Sequence, residues 1–305
     1  MKRLLLTTLC ILILAAGCAP VSAPPDTPTA VSPTETLQPT PPSEPPATST
    51  PASVPTPVPE PVEPLPSPTE PVYTVKDLLS AAIEPCGRCL YVWGGGWNEE
   101  DTAAGPDAMR EGPSPRWYEF FGENGSDYDV NSTKYQIHDG LDCTGYLGYS
   151  VYQVFGDAYS QTGYVFPSGK FAAGCLALFG GENIPVQNIR DYKPGDIMHK
   201  RGHVFLVIGQ CEDGSLLFLH ASPPALSLCG TPARDGSTSS QAVALATEYM
   251  SKYRSECFEK YDTCLRGTGF LTEYDQYRWD ENLLTDPDGY FQMTPREILD
   301  DLLAE

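Results

Sequence analysis

The stretch HDGLDCTGYLGYSVYQVF, residues 138–155, places a cysteine at the start of a helical pattern. Its apolar residues repeat every four positions, at Cys143, Leu147, Val151 and Phe155. This spacing predicts one buried face of an α-helix. Asp142 is a favourable N-cap, because its carboxylate accepts backbone N–H groups of the first turn. Gly145 and Gly148 each cost about 1 kcal/mol of helix propensity, which indicates close packing of the helix against something flat.

Two apolar runs further along the chain predict a β-hairpin that is this flat partner. HVFLVIG (203–209) is continuous and β-branched, as expected of a strand buried on both faces. SLLFLH (215–220) follows it after a short connection that contains glycine. Such a hairpin brings His203 and His220 to the same end of the sheet; if they were directly paired, their β-carbons would be about 5 Å apart.

The flanking segments predict further elements. They are a helix at 75–84, a turn and strand at 192–198, a helical stretch around 240–262, a strand at 270–279, and a final helix that starts at Thr294 with Pro and Glu in its first turn. CLYVWGGGW (89–97) predicts a tight turn beside a cleft. Residues 98–139 are polar, with scattered Gly and Pro, and are expected to form a long insertion rather than core elements.

The first 72 residues differ in composition from the rest. Residues 1–18 combine Lys2 and Arg3 with an apolar run and LAAGC, which predicts an export signal. The run is short for a permanent transmembrane helix. Its end resembles a bacterial lipobox in which Cys18 becomes lipid-modified; ordinary cleavage and secretion is the alternative.

Residues 19–72 contain nineteen of the 31 prolines. Such a segment buries too little apolar surface to offset its ordering entropy, so we expect a disordered tether. Polyproline II geometry would let it reach on the order of 150 Å. Residues 73–305 remain as one catalytic domain.

The formal charge of −21 limits the partners of this chain. Nucleic acid is excluded, because phosphate binding requires a basic face. Electrostatic docking to anionic lipid is disfavoured for the same reason.

Eight of the ten cysteines lie beyond the predicted signal and anchor. If Cys143 is a free thiol, seven remain, and an odd number cannot all pair within one chain. These seven are Cys86, Cys89, Cys175, Cys211, Cys229, Cys257 and Cys264. The closely spaced pairs 86/89 and 257/264 are open to three interpretations: disulfides, a shared structural zinc site, or buried free thiols.

The predicted helix and hairpin together supply the groups of a thiol catalyst. A thiol at a helix N-terminus feels the positive end of the helix dipole, which favours the thiolate. A histidine within reach takes the thiol proton and returns it to a leaving amine, and a polar residue behind this histidine fixes its tautomer. We therefore predict Cys143 as a nucleophile served by His203 and His220; the alternative for Cys143 is a buried small residue.

The two remaining histidines are not assigned to the site. His199 is predicted to lie in solvent at a strand end, and His138 on an exposed loop before the catalytic turn. Nothing in the spacing brings either of them together with His203, so we expect no metal and no cofactor.

Four motifs in this order resemble the NlpC/p-sixty family of cell-wall cysteine peptidases. They are YVWGG (91–95), DCTGYLGYSVYQVF (142–155), KPGDI with GHVFLVIG (193–209), and LHAS (219–222). The resemblance covers roughly residues 76–225. It implies a papain-like α+β fold in which the helix bearing the cysteine packs on an antiparallel sheet bearing the histidine. The long insertion at 97–139 and the extension from about 230 depart from the minimal family domain.

The resemblance also implies roles for individual residues. The catalytic residues are Cys143 as nucleophile, His203 as base and His220 as the orienting third residue. Tyr91 matches a tyrosine beside the thiol whose hydroxyl helps to hold the substrate or the oxyanion. Asp142 and Thr144 match positions that, in some members, contact the free amine of a stem peptide. Thr144 replaces the usual serine and keeps its hydroxyl.

The implied function is cleavage of peptidoglycan stem peptides between γ-D-glutamate and the diamino acid, through a thioester. The enzyme would face the cell wall from a membrane lipid anchor, or be secreted. The alternatives are an amidase or acyltransferase acting on another γ-glutamyl or acyl substrate, and a non-catalytic surface lipoprotein that binds a partner through the insertion.

Overall fold

The computed structural model describes residues 72–262 and 264–303. The predicted signal with Cys18, and the predicted tether up to residue 71, lie outside the described residues. In the described ranges, no helix has both the length and the apolar character needed to cross a bilayer.

In the described chain a group of four α-helices is followed by five successive strands, and then by the remaining helices and strands. The helices are α1 (Val75–Ile83), α2 (Pro115–Glu123), α3 (Cys143–Phe155), α4 (Phe171–Phe179), α5 (Gln241–Tyr253), α6 (Ser255–Tyr261), α7 (Gly269–Thr272) and α8 (Pro295–Leu302). The strands are β1 (Tyr73–Thr74), β2 (Glu182–Ile184), β3 (Ile197–Lys200), β4 (His203–Gln210), β5 (Leu216–Ser222), β6 (Ala225–Gly230), β7 (Asp275–Arg278) and β8 (Leu284–Thr285).

Six of these strands form one sheet in the order β2-β7-β3-β4-β5-β6, and every neighbouring pair is antiparallel. The short strands β1 and β8 form a separate parallel pair. The predicted α+β class with an antiparallel sheet is therefore confirmed. Because β7 lies between β2 and β3, the C-terminal part of the chain contributes an internal strand of the main sheet.

The predicted hairpin is strands β4 and β5, paired with Leu206 opposite Leu219. Extending this register places His220 opposite Phe205, so His203 is its diagonal neighbour on the same face. The hairpin and the proximity of the two histidines are confirmed. They are diagonal neighbours rather than a directly opposed pair.

Strand β4 is buried on both faces because each face of the sheet carries its own apolar cluster. Val204 and Leu206 belong to the main core, which includes α1 and α3. Phe205 and Val207 belong to a second cluster, together with Tyr274. This explains the continuous apolar run of β4.

Helix α3 begins and ends as its pattern predicts, at Cys143 and Phe155. The carboxylate of Asp142 caps it by accepting the N–H groups of Thr144 and Gly145. The hydroxyl of Tyr146 donates to the carbonyl of Ala82 at 2.7 Å, which fixes α3 against α1.

The glycines of α3 allow close contact with loops rather than with the sheet. A β-carbon on Gly145 would lie 2.0 Å from the carbonyl oxygen of Gly95, and one on Gly148 would lie 2.4 Å from Cγ2 of Val165. Close packing of the helix is thus correctly predicted, but these partners are not the predicted flat surface. Gly95 belongs to the triple-glycine turn, so α3 and this turn define each other's position.

We expect Gly145→Ala to destabilise the fold by about 2 kcal/mol or more, because the new methyl group meets a backbone carbonyl that cannot move independently. Urea unfolding followed by circular dichroism measures this change. Gly122→Ala in α2 is the matched control, since its β-carbon would meet nothing within 4 Å. The control is expected to leave stability unchanged or to raise it by up to about 1 kcal/mol. Equal unfolding midpoints for the two variants would contradict the packing described here.

The expectation that residues 98–139 contain no core element is wrong. Helix α2 buries Trp117 completely, and Phe121 joins the main core. The Trp117 ring packs edge-on against Tyr149 of α3, with ring centroids 5.1 Å apart. The aromatic residues at 117, 120 and 121 have the spacing of one helix face, but the surrounding Gly and Pro residues obscure this short helix.

The other segments agree with the sequence in part. The helical stretch around 240–262 is the pair α5 and α6, and α8 begins with the predicted capping box of Thr294 and Glu297. Only the second half of 270–279 is a strand, β7, because α7 occupies the first half. Strand β6 and helix α4 were not predicted.

All eight cysteines of the described ranges are buried, and Cys86, Cys89, Cys257 and Cys264 are free thiols. In those same ranges, no group of three or more His, Cys, Asp or Glu residues is arranged to hold a metal ion. Of the three interpretations left open for the pairs 86/89 and 257/264, the structure thus has buried free thiols.

Candidate active site

Cys143 opens α3 and lies against the first residues of β4. The backbone N–H of Val204 is close enough to the thiol to lower its pKa, and Val204 directly follows His203. Helix and hairpin therefore bring the thiol and the His203 imidazole to the same end of the sheet. Within the described part of the chain, no hydrogen bond joins the two side chains directly.

The thiol of Cys143 is neutral at pH 7. Burial, followed by the nearby charge of Asp142, raises its pKa to about 12, although the N–H groups of Val204 and Thr144 act in the opposite direction. Only 8 % of Cys143 is exposed. The expected preference of the helix N-terminus for a thiolate is thus outweighed by desolvation. A nucleophile at this position has to be generated by proton removal rather than stored as a thiolate.

His203 and His220 form a hydrogen-bonded pair. Nε2 of His203 lies 2.9 Å from Nδ1 of His220, and the two rings meet edge to face. Because Nε2 of His203 is engaged, Nδ1 is the ring nitrogen that has no hydrogen-bond partner among the described residues. Burial, with the positive charges of Arg266 and Lys200, lowers the pKa of His203 to about 4.

The second nitrogen of His220 also has partners. Nε–H of Arg266 donates to His220 Nε2 at 3.0 Å, and Sγ of Cys229 lies 3.5 Å from the same nitrogen. The pKa of His220 is well below its usual value because the ring is completely buried and because Arg266 and His203 are close. Both rings of the pair are therefore neutral at pH 7.

Tyr91 lies beside the thiol, as the sequence predicts. Burial, and then a negative charge on Cys143, raise the pKa of the Tyr91 hydroxyl. Its backbone is held on both sides: its N–H donates to the carbonyl of Pro224 at 2.9 Å, and its carbonyl accepts the hydroxyl of Tyr128 at 2.8 Å. Tyr128 belongs to the insertion, so the insertion supports the position of Tyr91.

Asp142 and Thr144 are engaged with the helix start and with Trp97. Asp142 Oδ1 accepts the N–H and the hydroxyl of Thr144, both at 2.9 Å. The indole N–H of Trp97 donates to Asp142 Oδ2 at 2.9 Å and to Thr144 Oγ1 at 3.1 Å. Through these contacts, both residues stabilise the start of α3 and hold Trp97 against it. Their contact with a substrate amine stays a prediction.

A cavity of about 320 Å³ is lined in part by Trp97. Its lining includes the aromatic rings of Trp97 and Tyr135 and the carboxylates of Glu99 and Asp101. All of these residues belong to the insertion. The insertion thus forms a wall next to the start of α3, and this wall is acidic.

Tyr274 is a member of the site that sequence reasoning missed. Its ring centroid lies 6.2 Å from that of His203. Burial raises the pKa of its hydroxyl, and a charge on Cys143 raises it further, which places Tyr274 near both groups. Its segment precedes β7, next to β3 in the sheet. No local pattern indicates this neighbour, because strand order is a property of the whole fold.

Among the described residues, the remaining two histidines make no hydrogen bond to the pair. His199 is buried in β3, with Nε2 2.8 Å from Oδ1 of Asn183, so the expectation that it lies in solvent is wrong. Its strand is internal to the sheet, between β7 and β4. His138 is exposed, as predicted, and lies against Asp107.

Comparison of the chain with protein-family models, with curated proteins and with solved structures finds no match to any of them.

Proposed function

We propose that this chain is a cysteine hydrolase with the papain-like fold of the NlpC/p-sixty peptidases, acting on peptidoglycan stem peptides. The observation that supports this proposal best is the meeting of α3 and β4. Cys143 at the first turn of α3 lies against the start of β4, where the imidazole of His203 is backed by that of His220. A nucleophilic acyl-transfer site needs a thiol, a base and a group that orients the base, and here these come from elements that are distant in the sequence.

In this mechanism His203 removes the thiol proton as Cys143 attacks the carbonyl carbon of the scissile amide. The C–S bond forms, the tetrahedral intermediate collapses, and the C–N bond breaks as His203 returns the proton to the departing amine. Water, deprotonated by His203, then attacks the thioester and releases the carboxylate and the free thiol. The low pKa of His203 keeps the ring neutral, as a base requires, at all pH values well above 4.

The oxyanion of each tetrahedral intermediate would be held at the start of α3. The backbone N–H of Cys143 is at the N-terminus of the helix, where N–H groups lack helical partners. The hydroxyl of Tyr91 is the second donor in this proposal. Donors fixed in a buried site are worth more than in water, because they need no reorganisation.

The proposed substrate is supported by the negative charge of the cavity beside Trp97. The cavity beside Trp97 carries Glu99 and Asp101 and suits a group with a free amine, as a diamino acid has. The cleaved bond would be the one between γ-D-glutamate and the diamino acid. Attachment through Cys18, outside the described residues, would hold the enzyme on the membrane facing the wall.

A non-catalytic surface lipoprotein is the second candidate, and one observation favours it. Cys143 is a neutral, buried thiol without a direct hydrogen bond to His203, which is how a structural cysteine also behaves. The insertion, with its exposed Tyr135, would then be the binding surface.

Digestion of purified muropeptides by the full-length protein tests the proposal. We expect two products whose masses sum to that of the substrate plus one water, with a new amine on the diamino acid. Other γ-glutamyl amides and acyl esters, offered in parallel, detect an amidase or acyltransferase. Absence of any product, together with failure of an electrophilic thiol probe to label Cys143, would leave the binding protein as the better description.

A further inference from the structure

The hydrogen-bond partners of His220 determine which of its ring nitrogens carries the proton. Its Nδ1 faces Nε2 of His203 at 2.9 Å, and its Nε2 faces Nε of Arg266 at 3.0 Å. A guanidinium has five N–H donors and no acceptor. We propose that Arg266 is a positioning residue that sets the proton positions on both imidazole rings and holds His203 in a form that cannot accept the thiol proton.

The proton positions follow from donor and acceptor rules. Because Arg266 only donates, Nε2 of His220 must carry a lone pair, and a neutral His220 then carries its proton on Nδ1. This Nδ1–H donates to His203, so Nε2 of His203 also carries a lone pair. A neutral His203 therefore has its proton on Nδ1, the nitrogen left for Cys143.

This arrangement is a resting state of the site. For His203 to accept a proton from Cys143, its Nδ1 must be bare and its Nε2 must carry the proton. His220 would then accept at Nδ1 and carry its own proton on Nε2, opposite the N–H of Arg266. Two N–H groups facing each other in a buried site are strongly unfavourable. Activation of the thiol therefore requires Arg266 to leave His220.

The other groups near the pair do not change this conclusion. Cys229 lies 3.5 Å from His220 Nε2, and its thiol is able to donate or to accept. Lys200 lowers the pKa of His203 but is paired with Glu273. Tyr274 packs beside His203 and has a raised pKa, so it is neutral. Arg266 is the charged donor whose hydrogen bond dictates the tautomers.

The inference relies on the proposed function only for the roles of Cys143 and His203, and its test does not require a substrate. Histidine ¹⁵N NMR of the full chain at pH 7 separates protonated from bare ring nitrogens. The chain has four histidines, which His203→Gln and His220→Gln spectra assign. We expect bare Nε2 and protonated Nδ1 in both rings of the wild-type pair. A protonated Nε2 on His220 in the wild type would overturn the proposal without any Arg266 variant.

Arg266→Met removes the donor and keeps an apolar chain of similar length. We expect protonated Nε2 on both rings in this variant, with the signals of His138 and His199 unmoved as evidence of an intact fold. Arg190→Met, at an exposed arginine, is the matched control and should leave all four rings unchanged. Cys229→Ala should also retain the wild-type tautomers. Unchanged tautomers in Arg266→Met would show that another group sets them.

Alkylation of Cys143 by iodoacetamide provides the kinetic readout. The thiolate attacks the methylene carbon and iodide leaves, and mass spectrometry of the Cys143 peptide gives the rate. We expect Arg266→Met to react about tenfold faster at pH 7, the effect of a change of one unit in the pKa of the thiol–imidazole pair. A slower rate would mean that Arg266 assists the base. Failure of muropeptide cleavage with these NMR and alkylation results would refute the proposed substrate and leave this inference standing.

Discussion

Cys143→Ala is expected to lower the rate of muropeptide cleavage by roughly 10⁴-fold or more, to the level of the uncatalysed reaction in the assay. No thioester can form without the sulfur, and the N–H groups at the start of α3 alone do not supply a nucleophile. The rate is measured by mass spectrometry of the products. Substitution of one small buried side chain by another is expected to cost only about 1 kcal/mol of stability.

Cys175→Ala is the matched control for this experiment. Cys175 is also buried, even more completely than Cys143, and lies on a helix, α4, but it does not belong to the site. The two variants should unfold at similar urea concentrations, while only Cys143→Ala loses activity. Turnover in Cys143→Ala comparable to that in Cys175→Ala would place the nucleophile on another residue.

The parts of the site that were predictable are those with short-range signals. Asp142 followed by a four-residue apolar repeat specifies both the cap and the buried face of α3. Two β-branched runs joined by a short connection specify a hairpin, and a hairpin brings its outer ends together whatever its register. The proximity of His203 and His220 follows from this topology alone.

The parts that were not predictable depend on which elements become neighbours. Tyr274 lies beside His203 because β7 inserts next to β3, and Arg266 reaches His220 because Leu265 pairs with Gly230 at the end of β6. Neither contact leaves a periodic trace in the sequence. The neutral state of Cys143 was missed for a related reason, since the dipole is a property of one helix but burial depends on everything packed around it.

The triple-glycine turn shows what helix propensity can and cannot predict. Gly145 and Gly148 correctly predict that another backbone comes close to α3. Helix propensity does not indicate which backbone this is. The sheet, predicted as the partner, does not make these contacts. Gly95 occupies that place, in the turn that closely follows Tyr91 in the chain. The glycines thus serve the geometry of the site as well as the packing of the helix.

His203→Gln is expected to lower kcat/KM by about 10³-fold, because an amide cannot exchange a proton with the thiol or with the leaving amine. His199→Gln is the matched control: His199 is buried on the adjacent strand and bonded to Asn183, and its replacement should retain activity. A His203→Gln enzyme within tenfold of the wild type would exclude His203 as the base.

The pH profile separates a catalytic role of His203 from a structural one. His203 is active only when neutral, and its pKa is lowered to about 4, so wild-type activity should persist at pH 5 and fall as the pH approaches 4.

The same group affects stability, because a depressed folded-state pKa means that the unfolded chain binds the proton more readily. Its contribution is complete above the unfolded pKa, about 6.5, and is lost as the pH falls through the folded value. Activity should therefore be assayed after brief exposure to each pH, with return to pH 7 to measure reversible loss. If wild-type activity instead falls between pH 7 and 6, the working base has an ordinary histidine pKa. The group that titrates would then not be the buried pair of His203 and His220.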